Sequence, residues 1–360
     1  MPKKNDSVLG NGKAAAVLSG VGSGEEILPG ERCLQIHRIM MRARALEERE
    51  IKMSKSGEGY FWIGGPGEEA FNTALGLQLK QGQGPAFDYL HLHYRNSATL
   101  VAMGMPLIDG TRQMAMRATD PHSFGRNFPG HFSKKAWNVV PISSVIEIQF
   151  AMAPGTAIVQ KRHGGEGVTI VVGGEAGTAE GDFASCMIWS TRPGNELPVL
   201  MIVMNNGYGI STPASTQHGE HRVIDRGKAF GIPGEVVDGN DPVASWFALE
   251  RAFSLCRKTR RPFMLEAKVS RLHGHSSSSG AARVGGETDC IAQFEKRMLE
   301  AGVIDRQTID KVHREAYAEA DDAADQAVKD PPPTAEDVCK FTYAASDVDP
   351  VYPVDYTGLP

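Results

Sequence analysis

The chain has 360 residues and a mass of 38.9 kDa, enough for one large domain or two small ones with a sizeable core. Hydrophobic residues make up 41% and charged residues 22%, and with a mean hydropathy of -0.27 this excludes a disordered tail protein. The longest strongly apolar run, residues 197–204, falls far short of the ~20 residues that span a bilayer, and a net charge of -5 without a basic stripe argues against nucleic acid as a partner.

Five cysteines (Cys33, Cys186, Cys256, Cys290, Cys339) are odd in number and contain no Cys-x-x-Cys pair, so neither a disulfide framework nor a zinc ribbon is encoded. Lys3 and Lys4 precede no apolar signal region and no Arg-rich leader, and the expected location is the cytoplasm. Residues 1–27 mix Gly, Ser, Ala and Asn without a period and read as a flexible arm. Leu34, Ile36, Ile39, Met40, Ala43, Leu46 and Ile51 then recur every three or four residues, predicting a helix over 31–54 that the glycines of 57–67 end.

The middle of the chain carries the strongest pattern. Residues 167–174 (GVTIVVGG) form a β-branched apolar run; 181–191 place Phe183, Cys186, Met187 and Trp189 at helical spacing; Pro193-Gly194 breaks the helix; and 198–204 form a second run. Two continuously apolar strands flanking a helix are the pattern of a parallel sheet covered on both faces, joined by a right-handed crossover. Further strands are expected at 235–237 and 262–269, separated by a helix that Asp241 caps and that runs to about Lys258. Beyond Gly286 the sequence turns helical and acidic through about Lys329, where Pro331-Pro332-Pro333 stops it. Residues 273–280 (HGHSSSSG) read as a polar, mobile loop after a strand. The expected fold is α/β: a doubly wound, mostly parallel sheet with helices on both faces over 28–330, including a helical C-terminal extension, followed by a proline-containing tail over 331–360.

In such sheets ligands sit beyond the carboxyl ends of the strands. One strand ends in Gly173-Gly174-Glu175-Ala176-Gly177 and the next in Asn205-Asn206-Gly207-Tyr208-Gly209, delivering a carboxylate and two carboxamides to one edge. A carboxylate, an amide oxygen and a backbone carbonyl suit a hard cation such as magnesium, which keeps its other positions for water and phosphate oxygens. The glycines let backbone approach a diphosphate. Taken singly, each loop is also ordinary turn chemistry. Walker A fails for want of Gly-Lys-Ser/Thr, and Gly-x-Gly-x-x-Gly lacks a suitable downstream acid.

The pairing of Gly174-Glu175-Ala176, a 28-residue spacer (177–204) and Asn205-Asn206 resembles the thiamin diphosphate signature. More of the chain resembles the alpha subunit of the decarboxylating component of 2-oxo acid dehydrogenase complexes. The carrying segments are Tyr94-Arg95, Ile142-Ser143-Ser144, Glu180-Gly181-Asp182-Phe183, residues 205–213 (NNGYGISTP), 237–241 (VDGND) and 271–276 (RLHGHS), in family order over roughly 35–340. The resemblance implies the thiamin diphosphate-binding fold, with magnesium held by the side chains of Glu175 and Asn206 and the carbonyl of Tyr208. It implies cofactor contacts from Tyr94, Arg95, Ser144, Ile146, Gly174, Ala176 and Gly177, an active-site histidine in His275, and a substrate-facing histidine in His93. Imidazole chemistry suits proton transfer at neutral pH. A zinc reading of His273-x-His275 lacks a third ligand, and His218 and His221 read as solvent-facing loop residues.

Departures from the family pattern are specific. Glu175 replaces the more common Asp, as in branched-chain members. Met204 stands where those members place an arginine, leaving one phosphate contact open. The segment 143–149 (SSVIEIQ) lacks a proline after Ser-Ser and has Ile148 where a threonine helps hold potassium in some relatives, which counts against a potassium site. Ser276 follows His275 as a regulated serine does in some relatives. The resemblance implies oxidative decarboxylation of a 2-oxo acid and acyl transfer to a lipoyl-bearing acyltransferase, together with a beta subunit in an α2β2 heterotetramer. Residues 125–132 (GRNFPGHF) are closer to the branched-chain pattern (2-oxoisovalerate type) than to that of pyruvate dehydrogenase; pyruvate or acetoin dehydrogenase is the alternative. Outside this class stand a non-catalytic scaffold of the same fold and a small-molecule binding module.

Overall fold

The computed structural model describes residues 17–20 and 26–340, without the side chains of 338 and 339. Strand β1 (Val17–Ser19) pairs antiparallel with β2 (Ile27–Pro29), and Leu18 is buried. Part of the segment expected as a flexible arm is therefore a paired strand, because Leu18 has an apolar partner in Leu28 across the ladder; the rest of that segment lies outside the described residues. The long helix α1 (Gly30–Ser56) follows and ends at Gly57, whose φ of 80° suits glycine. Then come α2 (Glu69–Gln78), β3 (Tyr89–His91), α3 (Ser97–Ala102), α4 (Leu107–Met114) and α5 (Ile148–Arg162). The central crossover is β4 (Thr169–Gly174), α6 (Gly181–Ser190) and β5 (Val199–Asn205). A small hairpin, β6 (Tyr208–Gly209) and β7 (Thr212–Pro213), leads to α7 (Asp225–Lys228), β8 (Gly234–Asp238), α8 (Pro242–Thr259) and β9 (Phe263–Lys268). The chain closes with α9 (Cys290–Glu300), α10 (Arg306–Ala327) and α11 (Ala335–Lys340).

The main sheet has the order β3-β4-β5-β9-β8, and every pairing in it is parallel. Alternate residues of the central strands point to opposite faces. Val171, Met201 and Val203 pack with Phe150 and Ala153 of α5 and Phe183 and Met187 of α6 on one side. Ile170, Val172, Leu200 and Ile202 join the larger core on the other, with residues of α1, α2 and α8. This double-sided burial is why both strands read as unbroken apolar runs. Asp241 caps α8 by accepting from Val243 N–H, as its place before Pro242 predicts.

Four helices and one strand between residues 57 and 166 escape the periodicity analysis. Helix α2 is buried all round, with Ala70, Phe71, Asn72, Thr73, Ala74, Leu75 and Gly76 all inside, so it has no polar face to create a period. Strand β3 is three residues long, and α5 has Pro154 in its interior. The acidic C-terminal region is two principal helices, of which α10 buries Ile309, Val312, Ala316 and Ala320 and packs along α1 and α4. Pro331 accepts from Ala118 N–H, while residues 341–360 of the expected tail lie outside the described residues. No helix among the described residues is long and apolar enough to cross a membrane.

Buried Arg44 joins three helices. It donates from Nε to Glu69 Oε1 (2.5 Å) and from Nη2 to Glu69 Oε2 (3.0 Å), and from Nη1 to Asp289 Oδ2 (3.0 Å). Removing the guanidinium strands Glu69, which is itself buried. Arg44→Ala is expected to lower unfolding stability by roughly 3–5 kcal/mol in urea titration, as breaking one side of a buried pair does; a loss comparable to that of an exposed pair would contradict this reading.

Candidate cofactor and active site

Strands β4 and β5 are in register with Gly174 opposite Met204, so their exit loops emerge side by side. Asn206 N–H donates to Glu175 Oε2 at 3.3 Å. Glu175 is 1% exposed, and its Oε1 has no hydrogen-bond partner. Burial pushes this carboxyl above the usual range, against the opposing effect of backbone N–H groups and Arg95. Asn206 Oδ1 accepts from Tyr208 N–H (3.2 Å), and its Nδ2 donates to Glu68 Oε1 (3.3 Å).

These residues open on a cavity of about 260 Å³. Of the residues singled out from the sequence, His93, Tyr94, Arg95, Ile146, Gly174, Glu175, Ala176, Gly177, Asn206, Tyr208 and His275 line it. Ser144 does not. His131 Nδ1 faces the Pro129 carbonyl (3.2 Å) and must donate there, so its Nε2 accepts the Ser144 hydroxyl at 2.5 Å. Met204 is also absent from the lining, being packed in the core.

Arg95 organises the site. It donates to the Gly64 carbonyl and from Nη2 to His275 Nδ1 at 2.9 Å. A guanidinium can only donate, so His275 Nδ1 accepts and its proton resides on Nε2. Burial, then the charges of Arg95 and Arg271, hold this imidazole down at about 4. His93 receives Arg95 N–H on Nδ1 (3.4 Å), and burial, Arg95 and the neighbouring imidazoles keep it well below its ordinary value. Both histidines are therefore neutral at pH 7.

The loop expected to be mobile is tied down. Ser276 and Ser279 form a reciprocal cap, Ser277 N–H donates to the Trp62 carbonyl and Leu272 N–H to that of Pro66. Gly67, at φ 111°, lets the 64–67 loop pass so close to Ser270 that a Cβ would overlap its carbonyl. His273 does not line the cavity; its ring lies edge-on to Trp62. His218 is not solvent-facing: its side chain is 7% exposed, because Arg226 Nη2 donates to its Nδ1 (3.1 Å). His221 is exposed.

Three carboxylates at the site, Glu147, Glu180 and Glu68, were not among the candidate site residues. Glu147, at φ 62° before α5, lines the cavity; its carboxylate fills the space where Gly173 or Gly177 would carry a Cβ. Burial and then the nearby carboxylates Asp182, Glu180 and Glu175 raise it to about 8, against a Gly174 N–H. Glu68, behind Asn206, is likewise raised by burial to about 8. The available signals were an acid inside the apolar VIEIQF stretch and the paired acids after the 64–67 glycines.

Residues 37–336 match the family described as Dehydrogenase E1 component. The chain belongs to this family. It is 28% identical to the 2-oxoisovalerate dehydrogenase subunit alpha of Bacillus subtilis over 88% of its own length and 97% of that relative. It is 30% identical to the mitochondrial 2-oxoisovalerate dehydrogenase subunit alpha 2 of Arabidopsis thaliana over 70% of its length, spanning only about half of that relative (52%). It is 27% identical to the Pyruvate dehydrogenase E1 component subunit alpha of Rhizobium meliloti over 94% and 98% of the two chains. The family agrees with the resemblance read from the motifs, and the parallel sheet agrees with the expected fold.

Histidine ring NMR tests the electrostatics of this family's site as it stands in this chain. His275 should titrate near 4 instead of its ordinary 6.5, and Arg95→Ala should move the midpoint upward by removing a cation and a donor to Nδ1. A wild-type midpoint at the ordinary value would contradict the assigned geometry.

Proposed function

We propose that the chain is the alpha subunit of a thiamin diphosphate- and magnesium-dependent dehydrogenase that oxidatively decarboxylates a branched-chain 2-oxo acid, of the 2-oxoisovalerate type, and passes the acyl group to a lipoyl-bearing acyltransferase. The observation that carries this is the convergence of Glu175 and Asn206 on one cavity, with a buried carboxylate oxygen left unpartnered. Oxygen donors of this kind fit a hard dication. Glu175, Asn206 and the Tyr208 carbonyl would hold magnesium, and Ala176 and Gly177 would present backbone to the diphosphate. Arg95 retains N–H groups for a phosphate beyond those given to Gly64 and His275. When bound, the thiazolium ring supplies the electron sink for the departing carbon dioxide.

The chain's own residues handle position and protons. His275 offers an Nε2–H donor toward the cavity and, being neutral with Nδ1 held by Arg95, donates a hydrogen bond to oxygen that gains negative charge there without placing a second cation beside the guanidinium. His93, neutral and tilted against Tyr94 with ring centroids 3.8 Å apart, lines the same cavity. Glu147, raised to about 8, is protonated at pH 7 and adds no negative charge beneath the diphosphate loop.

A cavity of about 260 Å³ is at the small end for a ligand of this size, and Val145, Ile146, Tyr208 and Ile210 around it are exposed. We therefore assign the uncovered side to a beta subunit in an α2β2 heterotetramer, working in the cytoplasm. The branched-chain substrate rests on relatives named for 2-oxoisovalerate and on the 125–132 segment, whose Phe128 meets Phe61 (5.1 Å) and His131 (4.3 Å) in an apolar cluster reaching Tyr94 through His131. The pyruvate-named relative keeps pyruvate as the second reading.

Calorimetry on the alpha and beta subunits together should detect magnesium-dependent thiamin diphosphate binding, and Glu175→Ala should abolish it. Unchanged affinity in that variant would overturn the site, and no binding by the wild type would favour a non-catalytic scaffold. Turnover should be faster on 2-oxoisovalerate than on pyruvate or acetoin; the reverse order would leave the site standing and move the substrate.

A further inference from the structure

We propose that His37, Glu295 and His313 form a binding site for a divalent transition metal, built by α1, α9 and α10 and separate from the cofactor cavity, which none of the three lines. Their ligand atoms all lie within 4.8 Å of one another. His37 Nε2 is 2.8 Å from Glu295 Oε1, and His313 Nε2 is 2.5 Å from the same oxygen. Two imidazole nitrogens and a carboxylate thus converge from three different helices. The side chains are 0% (His37), 12% (Glu295) and 37% (His313) exposed, so the site is anchored in the interior and reachable from solvent past His313.

Ligand chemistry selects the ion. Two imidazoles with one carboxylate are a set that zinc accepts, with water completing the shell, whereas nitrogen donors disfavour magnesium and calcium. Without a cation, one carboxylate oxygen is the shared partner of both imidazoles. A dication would give each of the three donors a bond of its own. Ligand atoms around zinc at 2.0–2.1 Å sit roughly 3.3 Å apart in a tetrahedral shell, so seating the ion requires side-chain shifts of up to about 1.5 Å, which fall to the two accessible residues. Coordination through Nε2 moves each ring proton to Nδ1. His37 Nδ1 is buried without a partner, which sets the affinity below that of sites whose ligand histidines are anchored by a second hydrogen bond.

The test uses the full-length chain without a polyhistidine tag, stripped with a chelator and titrated with Co2+ in buffer containing excess Mg2+. A single equivalent should bind with visible d–d absorption and be displaced by Zn2+. Both His313→Ala and Glu295→Gln should weaken binding by about tenfold or more, since even outer-shell changes at metal sites cost that much, while circular dichroism verifies that the variants are folded. Zn2+ should raise the melting temperature of the wild type but not of the variants. Absence of Co2+ uptake by the wild type, or uptake by both variants equal to it, would overturn the site and leave a hydrogen-bonded strut between helices.

Discussion

The parallel pairing of β4 with β5, Gly174 against Met204, is the constraint on which the site rests. It places two loop exits side by side, so that a carboxylate from one and a carboxamide from the next share a cavity although 30 residues separate them in sequence. The register is held by burial on both faces. A slip of one residue would send Val171 and Val203 into the space of Ile170 and Ile202, exchanging the contents of two cores of different shape. The packing of apolar side chains thereby fixes the position of the polar ones.

The electrostatic character of the cavity follows from what that packing buries. Glu175, Glu147 and Glu68 are carboxyls removed from water, and each is pushed above its ordinary range. Arg95 is the cation that opposes this shift at Glu175 and Glu68, and its donors are partly committed to Gly64 and His275. Its charge in turn helps keep His275 and His93 neutral. The Glu175 carboxyl and the partly uncommitted Arg95 guanidinium thus face one cavity with opposite charge character.

Legibility in the sequence divided along the length scale of the interaction. The β4-α6-β5 crossover was plain because its strands are covered on both sides and its helix keeps a period. Helix α2 was hidden because full burial erases period, and β3 because three residues form no pattern. The cavity residues borne by the two strand-end loops were readable from local motifs. Glu147, Glu68 and the His131 bond to Ser144 were not, since each depends on a contact between segments apart in the chain: Glu147 against Gly173 and Gly177, Glu68 against Asn206, His131 against Ser144. The hydrogen bonds of the 272–277 segment were hidden for the same reason; their acceptors, the carbonyls of Trp62 and Pro66, lie some two hundred residues upstream.

The helical C-terminal extension is part of this arrangement. Asp289, the cap of α9, holds Arg44 of α1, and Arg44 holds Glu69. Glu69 Oε2 accepts the N–H of Gly67 at 2.8 Å, and Glu47, one turn along α1 from Arg44, accepts from Trp62 Nε1 (2.8 Å) and Ser97 Oγ (2.5 Å). Between them these carboxylates fix the 62–67 segment, whose Gly64 carbonyl receives Arg95 and whose backbone anchors the His275 loop. A side chain at Gly64 would overlap the Glu47 carboxylate, so the glycine is required by the strut beneath the loop and not by a turn. Through this buried relay the position of a helix near the chain's end bears on the guanidinium that sets the proton location on His275.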